Sequence, residues 1–214
     1  ANAAAFVVFF AFVGIIIYFS AYFQQVQGHS PLAAGLDVCA IGVALAITSA
    51  LTGSLVGRVG ERWPLLGGLV LSGAATLGLL RLDTATSVGL IWWDFALVGA
   101  GIGFCGTATT TMSMSAVDVT RAGMASAIVN ALRQVGQVFG VAVLGALVYA
   151  KLPGGGAGQR LGVSQSSLFV DGLHNALWLC GLALLAVGVL AAILVPGGAR
   201  ESAQQAGTEK AAGR

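Results

Sequence analysis

The sequence predicts an all-α membrane protein of about six transmembrane helices. Three observations carry that expectation. Charged residues make up 8% of the 214 residues, against roughly 25% in a typical soluble domain. Hydrophobic residues make up 57%, and the mean hydropathy is +0.91. The apolar residues also gather into six windows, each near the roughly 20 residues that a helix needs to cross a bilayer. A water-soluble chain would need far more charge to cover its surface, so lipid is the natural solvent of this one.

The first window runs from Ala4 to Phe23 and is apolar from its start. Turn chemistry at Gly28–Pro31 separates it from the second, Ala34 to Val56. A second turn at Gly60–Pro64 leads into the third, Leu65 to Leu80, which is short but extendable into its flanks. The stretch Asp83–Ser87 then precedes the fourth window, Val88 to Met112. The fifth spans Gly123 to Ala150, and the Gly-rich run Pro153–Gly158 separates it from the sixth, Leu173 to Val195. Two regions follow: a six-helix bundle over 1–195, and a polar, small-residue tail over 196–214 that is expected to be disordered and cytoplasmic.

Lysine and arginine counts near helix ends set orientation. One side holds Arg58, Arg62, Arg121, Arg200, Lys210 and Arg214, the other only Arg81, Lys151 and Arg160. The excess places both termini in the cytoplasm. The chain starts at Ala1 in an apolar run with no basic n-region or cleavage site, so this segment is not read as a signal peptide. Together with the missing initiator methionine, that start suggests a fragment or a processed piece.

Glycine is abundant, at 32 residues, without a collagen period, which suits closely packed membrane helices. Small-residue pairs four apart (Gly53 with Gly57, Gly99 with Gly103, Gly136 with Gly140) mark candidate contact seams. Cys39, Cys105 and Cys180 lie in apolar runs at wide spacing. They form no disulfide or zinc pattern and read as small packing residues.

The fifth window carries the clearest functional pattern. Ser126, Asn130, Arg133, Gln134 and Gln137 fall on one stripe at about 100° per residue. Lipid cannot solvate a guanidinium or an amide, so the stripe must face protein or a water-filled cavity. Asp94, beside Trp92 and Trp93, is either a solvated carboxylate in the aromatic belt or a proton- or cation-binding group. Thr107, Thr109, Thr110, Thr111, Ser113 and Ser115 read by default as structural glue, satisfying each other or the carbonyl four residues back. At the end of the first window, Tyr18, Tyr22, Gln24 and Gln25 suit either a site for an amphipathic cation or plain interface anchoring. The third and sixth windows have almost nothing polar at their centres and are expected at the periphery.

No phosphate loop, zinc-protease helix or nucleophile elbow is present, so no enzyme activity and no cofactor or metal is expected. The net charge of +2, with no basic stripe, gives no reason to expect nucleic acid.

Three stretches then resemble a known family. Tyr22-Phe23-Gln24-Gln25-Val26-Gln27-Gly28-His29-Ser30-Pro31-Leu32-Ala33-Ala34-Gly35-Leu36 is similar to the first outer loop in the C-terminal half of the fourteen-helix drug/proton antiporters of the major facilitator superfamily. Gly53-Ser54-Leu55-Val56-Gly57-Arg58-Val59-Gly60-Glu61-Arg62 resembles that superfamily's cytoplasmic loop signature, with Gly57 in place of the usual acid and Glu61 in place of a base. Arg121 to Ser126, continuing through Asn130, Arg133, Gln134, Gly136 and Gly140, resembles the penultimate helix.

The resemblance implies the C-terminal bundle of a two-bundle transporter in the bacterial plasma (inner) membrane. Such a protein exports amphipathic compounds in exchange for protons and needs an N-terminal helical bundle as its partner. It implies a substrate cavity drawing on Tyr18, Tyr22, Gln24, Gln25, Asn130, Arg133, Gln134 and Gln137, and a conformational loop at Gly53, Arg58, Gly60 and Arg62. The rival expectation is a self-contained six-helix permease or channel subunit that oligomerises.

Overall fold

The computed structural model describes residues 2–81, 83, 88–152 and 161–194. The stretches 84–87 and 153–160, the cations Arg160, Arg200, Lys210 and Arg214, and the tail 196–214 lie outside the described residues. Among the described residues, six helices are long and apolar enough to cross a membrane.

Helix α1 (Asn2–Ala21) runs without interruption into a π-helical turn, Tyr22–Val26. The turn closes through Gln27 N–H donating to Tyr22 O at 3.2 Å, and His29 N–H donates to Phe23 O at 2.9 Å. Ser30 then starts α2 (Pro31–Val59), its hydroxyl accepting from Ala33 N–H at 3.3 Å. A serine cap followed by proline at the first helical position is a favoured helix start, because proline lacks an N–H that would go unbonded there. Gly60 ends α2 with φ +78°, a conformation that side chains disfavour.

Helix α3 (Arg62–Gly78) tightens into a 3₁₀ turn over Leu79–Arg81, and α4 covers Val88–Ser115. A short 3₁₀ turn, Val119–Arg121, leads into α5 (Ala122–Tyr149). The last helix, α6, covers Val163–Leu194 and begins ten residues before the window that hydropathy predicts. Ser164, Gln165, Ser166, Ser167 and Asp171 dilute the apolar signal there without breaking the helix.

The most extensive contacts join α2 to α4 and α1 to α5, which run parallel, and α3 to α4 and α3 to α6, which run antiparallel. Two of the glycine pairs explain the first two seams. Gly99 and Gly103 let the Ile41 and Leu45 carbonyls of α2 lie where a Cβ would sit. Gly136 and Gly140 do the same for the Phe6 and Phe10 carbonyls of α1. Such close approach is how membrane helices gain packing energy without a hydrophobic driving force between them. Gly53 and Gly57 have nothing within 4 Å, so that pair makes no seam among the described residues.

Polar groups inside α3 and α4 satisfy their own helices. Ser72 donates to Gly68 O at 2.7 Å and Thr76 to Ser72 O at 2.7 Å, both side chains fully buried. Thr109, Thr110 and Thr111 likewise donate to the carbonyls of Cys105, Gly106 and Thr107. Cys105 and Cys180 are buried, whereas Cys39 is exposed on α2.

Burial is uneven. Half of the most apolar stretch of α1, α3 and α4 is buried, but only 11% of that of α2 and 22% of that of α5. Helix α2 leaves uncovered both a small-residue file (Gly35, Cys39, Gly42, Ala46, Gly53 and Gly57) and an apolar file from Leu36 to Leu55.

Candidate functional site

Helices α1, α2, α4 and α5 enclose a cavity of about 400 Å³, lined by Phe9, Leu45, Ser49, Ile102, Gly106, Thr107, Thr110, Thr111 and Arg133. Helices α3 and α6 contribute nothing to it.

Arg133 is the one lining residue that the sequence reading assigned to a cavity. Its Nη2 donates to Gly106 O at 2.7 Å and to the Thr110 hydroxyl at 2.6 Å, with Thr109 Oγ1 at 3.3 Å. Its guanidinium carbon stands 5.0 Å from the centre of the Phe9 ring, a cation–π geometry. The Nε atom is buried and has no hydrogen-bond partner among the described residues. The Thr110 hydroxyl therefore has two roles. It donates to Gly106 O four residues back and accepts from the arginine, so it is more than helix-internal glue. Gly106, with nothing within 4 Å of its Cβ position, leaves its carbonyl open to the guanidinium.

On the same stripe of α5, Asn130 and Gln134 are exposed, while Ser126 and Gln137 are half-buried. They stand beside the cavity on the uncovered face and do not line it.

The four candidates on α1 are placed elsewhere, at the end of the bundle opposite the α2–α3 connection. Tyr18 is buried and donates to Val141 O at 2.5 Å, its ring edge-on to Tyr149. Tyr22 is fully buried and donates to Asp83 O at 2.6 Å. Gln25 donates to the Tyr149 hydroxyl at 3.1 Å, and its carbonyl accepts from Leu161 N–H at 3.0 Å. Gln24 bonds back to Ser20. These contacts tie the π turn to the start of the α3–α4 connection, to α5 and to the approach to α6. Nearby, His29 Nδ1 lies 2.6 Å from Asp37 Oδ2 and its ring stacks on Phe23.

Asp94 is also at this end. Its carboxylate, 17% exposed, lies 3.3 Å from Arg81 Nη2, and the arginine is itself 78% exposed. Trp92 and Trp93 beside it are exposed, as is Trp63 at the other end of the bundle, the placement expected of interfacial aromatic belts.

At the α2–α3 connection, Arg62 donates to Ala192 O of α6 at 2.8 Å, and Glu61 accepts from the Ser115 hydroxyl of α4 at 3.0 Å. Arg58 and Gly53 are exposed, and Gly60 makes the left-handed turn. The loop thus joins four helix ends.

Sequence reasoning missed Phe9, Leu45, Ser49 and Ile102. Each is an ordinary apolar or small residue of a membrane helix, and only the packing of four helices brings them together.

Comparison with known proteins places the chain. The sequence profile of the Major Facilitator Superfamily matches residues 2–141. The chain is 42% identical over 147 residues to the multidrug resistance protein Stp of Mycobacterium tuberculosis, a stretch covering 68% of this chain and 27% of that protein. It is 36% identical over 151 residues to the drug efflux pump JefA of the same organism, covering 69% and 29%. It is 28% identical over 143 residues to the tetracenomycin C resistance and export protein of Streptomyces glaucescens, covering 67% and 27%. The matched stretch spans under a third of the length of each of these relatives.

Proposed function

Because this chain belongs to the Major Facilitator Superfamily, we propose that it forms the C-terminal six-helix bundle of a proton-coupled secondary transporter. That transporter exports amphipathic drugs or other small molecules across a bacterial plasma membrane, with both ends of this bundle in the cytoplasm. The observation that carries the reading is the cavity of about 400 Å³ between α1, α2, α4 and α5, with an intramembrane arginine on its wall. An arginine at that depth is costly and usually marks a site. The resistance and efflux names of the similar proteins support the same reading.

The partner is an N-terminal helical bundle docked on α2 and α5. Lipid makes no demand for small residues, but close helix approach does, and the uncovered α2 file from Gly35 to Gly57 supplies them. Asn130, Gln134 and Gln137 then border a pathway between the bundles. The loop at Gly53, Arg58, Gly60 and Arg62 links helix ends that move together. Rocking couples to substrate because each state binds it differently.

Inverted membrane vesicles holding the native-length protein should accumulate fluorescent amphipathic dyes when energised, and a protonophore should abolish the signal. Dye accumulation that survives the protonophore would remove proton coupling, and no accumulation would remove export. Cysteines at Asn130 and Gln134, in a Cys39→Ala background, should react in membranes with small polar thiol reagents. Uniform protection of both would mean that this face of α5 borders no aqueous path.

A further inference from the structure

We propose that the cavity beside Arg133 takes the anionic head of an amphipathic substrate, a carboxylate, sulfonate or phenolate, and disfavours cations. The proposal rests on the export reading above and specifies the substrate class of that site.

The argument begins with charge. The cavity wall holds a guanidinium and neither aspartate nor glutamate. Among the described acidic residues, Asp94 is held by Arg81, Asp37 by His29, and Glu61 bonds Ser115 at the opposite end, while Asp83, Asp118 and Asp171 do not line the cavity. A buried charge is tolerated when it is paired, and among the described residues Arg133 has only neutral oxygens. Those oxygens are already committed. Gly106 O accepts from Thr110 as well as from Arg133 Nη2. The Thr110 and Thr111 hydroxyl hydrogens point back along α4, so they are not offered to a ligand. The Thr107 and Ser49 hydroxyls lie against the Ser49 and Gly103 carbonyls, so the recognition group left in the cavity is the guanidinium.

Shape and polarity then describe the rest of the ligand. Phe9 covers one side of the guanidinium, so an anionic group meets its charge from the cavity side. Leu45 and Ile102 line the same space and suit an apolar body. A cationic headgroup entering the cavity would meet a like charge in a medium that screens it poorly.

The test uses fluorescein and rhodamine 123, which share a xanthene core and carry opposite charge at neutral pH. Each is titrated by fluorescence anisotropy into the native-length protein in mild detergent. We expect fluorescein to bind about tenfold or more tighter than rhodamine 123. Arg133→Gln should weaken fluorescein by about tenfold or more and leave rhodamine 123 equal or tighter. Arg133→Lys, which keeps the charge, should stay within a few-fold of the parent.

Rhodamine 123 bound as tightly as fluorescein, no binding of either, or fluorescein affinity indifferent to Arg133→Gln would each overturn the proposal. The last would mean that a carboxylate from elsewhere in the protein already pairs with Arg133. If Arg133→Gln is not monodisperse, the parent's preference between the dyes and the Arg133→Lys titration decide. Binding needs no transport, so the two readings separate. Arg133-dependent fluorescein binding without export of either dye supports this proposal and removes the export reading. Export of rhodamine 123 untouched by Arg133→Gln does the reverse.

Discussion

Gly99→Leu should prevent assembly of the bundle. A Cβ at Gly99 would lie within contact distance of the Ile41 carbonyl oxygen, carbonyl carbon and Cα, all backbone atoms of α2. No side-chain rotamer can relieve that clash, so α2 must move away from α4 along the most extensive seam in the fold. The cost should exceed the ~1–3 kcal/mol typical of an overpacked core, where side chains can still adjust. Gly103 would lose its own contact with Leu45 O at the same time, because the two helices separate as rigid rods. Gel filtration in mild detergent should show aggregate in place of a monodisperse peak. Gly67→Leu is the control, since nothing lies within 4 Å of Gly67 on the outer face of α3. If Gly99→Leu behaves like Gly67→Leu, the α2–α4 seam is not as close as the structure shows.

Asp94→Asn should leave the fold intact and abolish substrate-induced proton release from the native-length protein in vesicles. The fold survives because the ion pair with Arg81 involves a guanidinium that is 78% exposed, and pairs of that kind contribute about 0–1 kcal/mol. Release is lost on the reading of Asp94 as the proton-binding group, the second of its two sequence-level readings. Asparagine keeps the shape but has no proton to exchange. Normal melting with normal proton release would make Asp94 an interfacial residue and nothing more.

The glycine and aspartate cases differ in how far the sequence foresaw them. Gly99 and Gly103 are visible as a spacing, but Gly53 and Gly57 have the same spacing and touch nothing. Spacing marks a capacity for close approach, and only the arrangement of neighbouring helices shows which pair uses it. Asp94 is visible as an acid beside two tryptophans, yet its partner Arg81 comes from the end of the preceding helix pair, across a connection no pattern could orient.

The candidate site divides along the same line. An arginine in a membrane span is conspicuous in any sequence, because lipid cannot solvate it. Thr110, its acceptor, looks the same as Thr109 and Thr111, all three of which donate to the carbonyl four residues back. What distinguishes Thr110 is the angle at which α4 faces α5. Tyr18, Tyr22, Gln24 and Gln25 share a segment with an amphipathic look, yet their side chains bond to Val141, Asp83, Ser20 and Tyr149, in that order, in place of lining the cavity. The π turn that redirects them arises from five residues with no distinctive propensity.

The sequence by itself determined that the chain is helical, that it lives in lipid, and roughly where its six spans lie. Those properties follow from apolar length and scarce charge, which act locally and add along the chain. The superfamily is legible for the same reason, in short stretches read in order. The cavity, the seams that close and the seam left open are different. They depend on which helix faces meet, and that is decided by steric fit between residues far apart in sequence, 130 positions in the Arg62–Ala192 hydrogen bond. Only the tertiary structure holds that information.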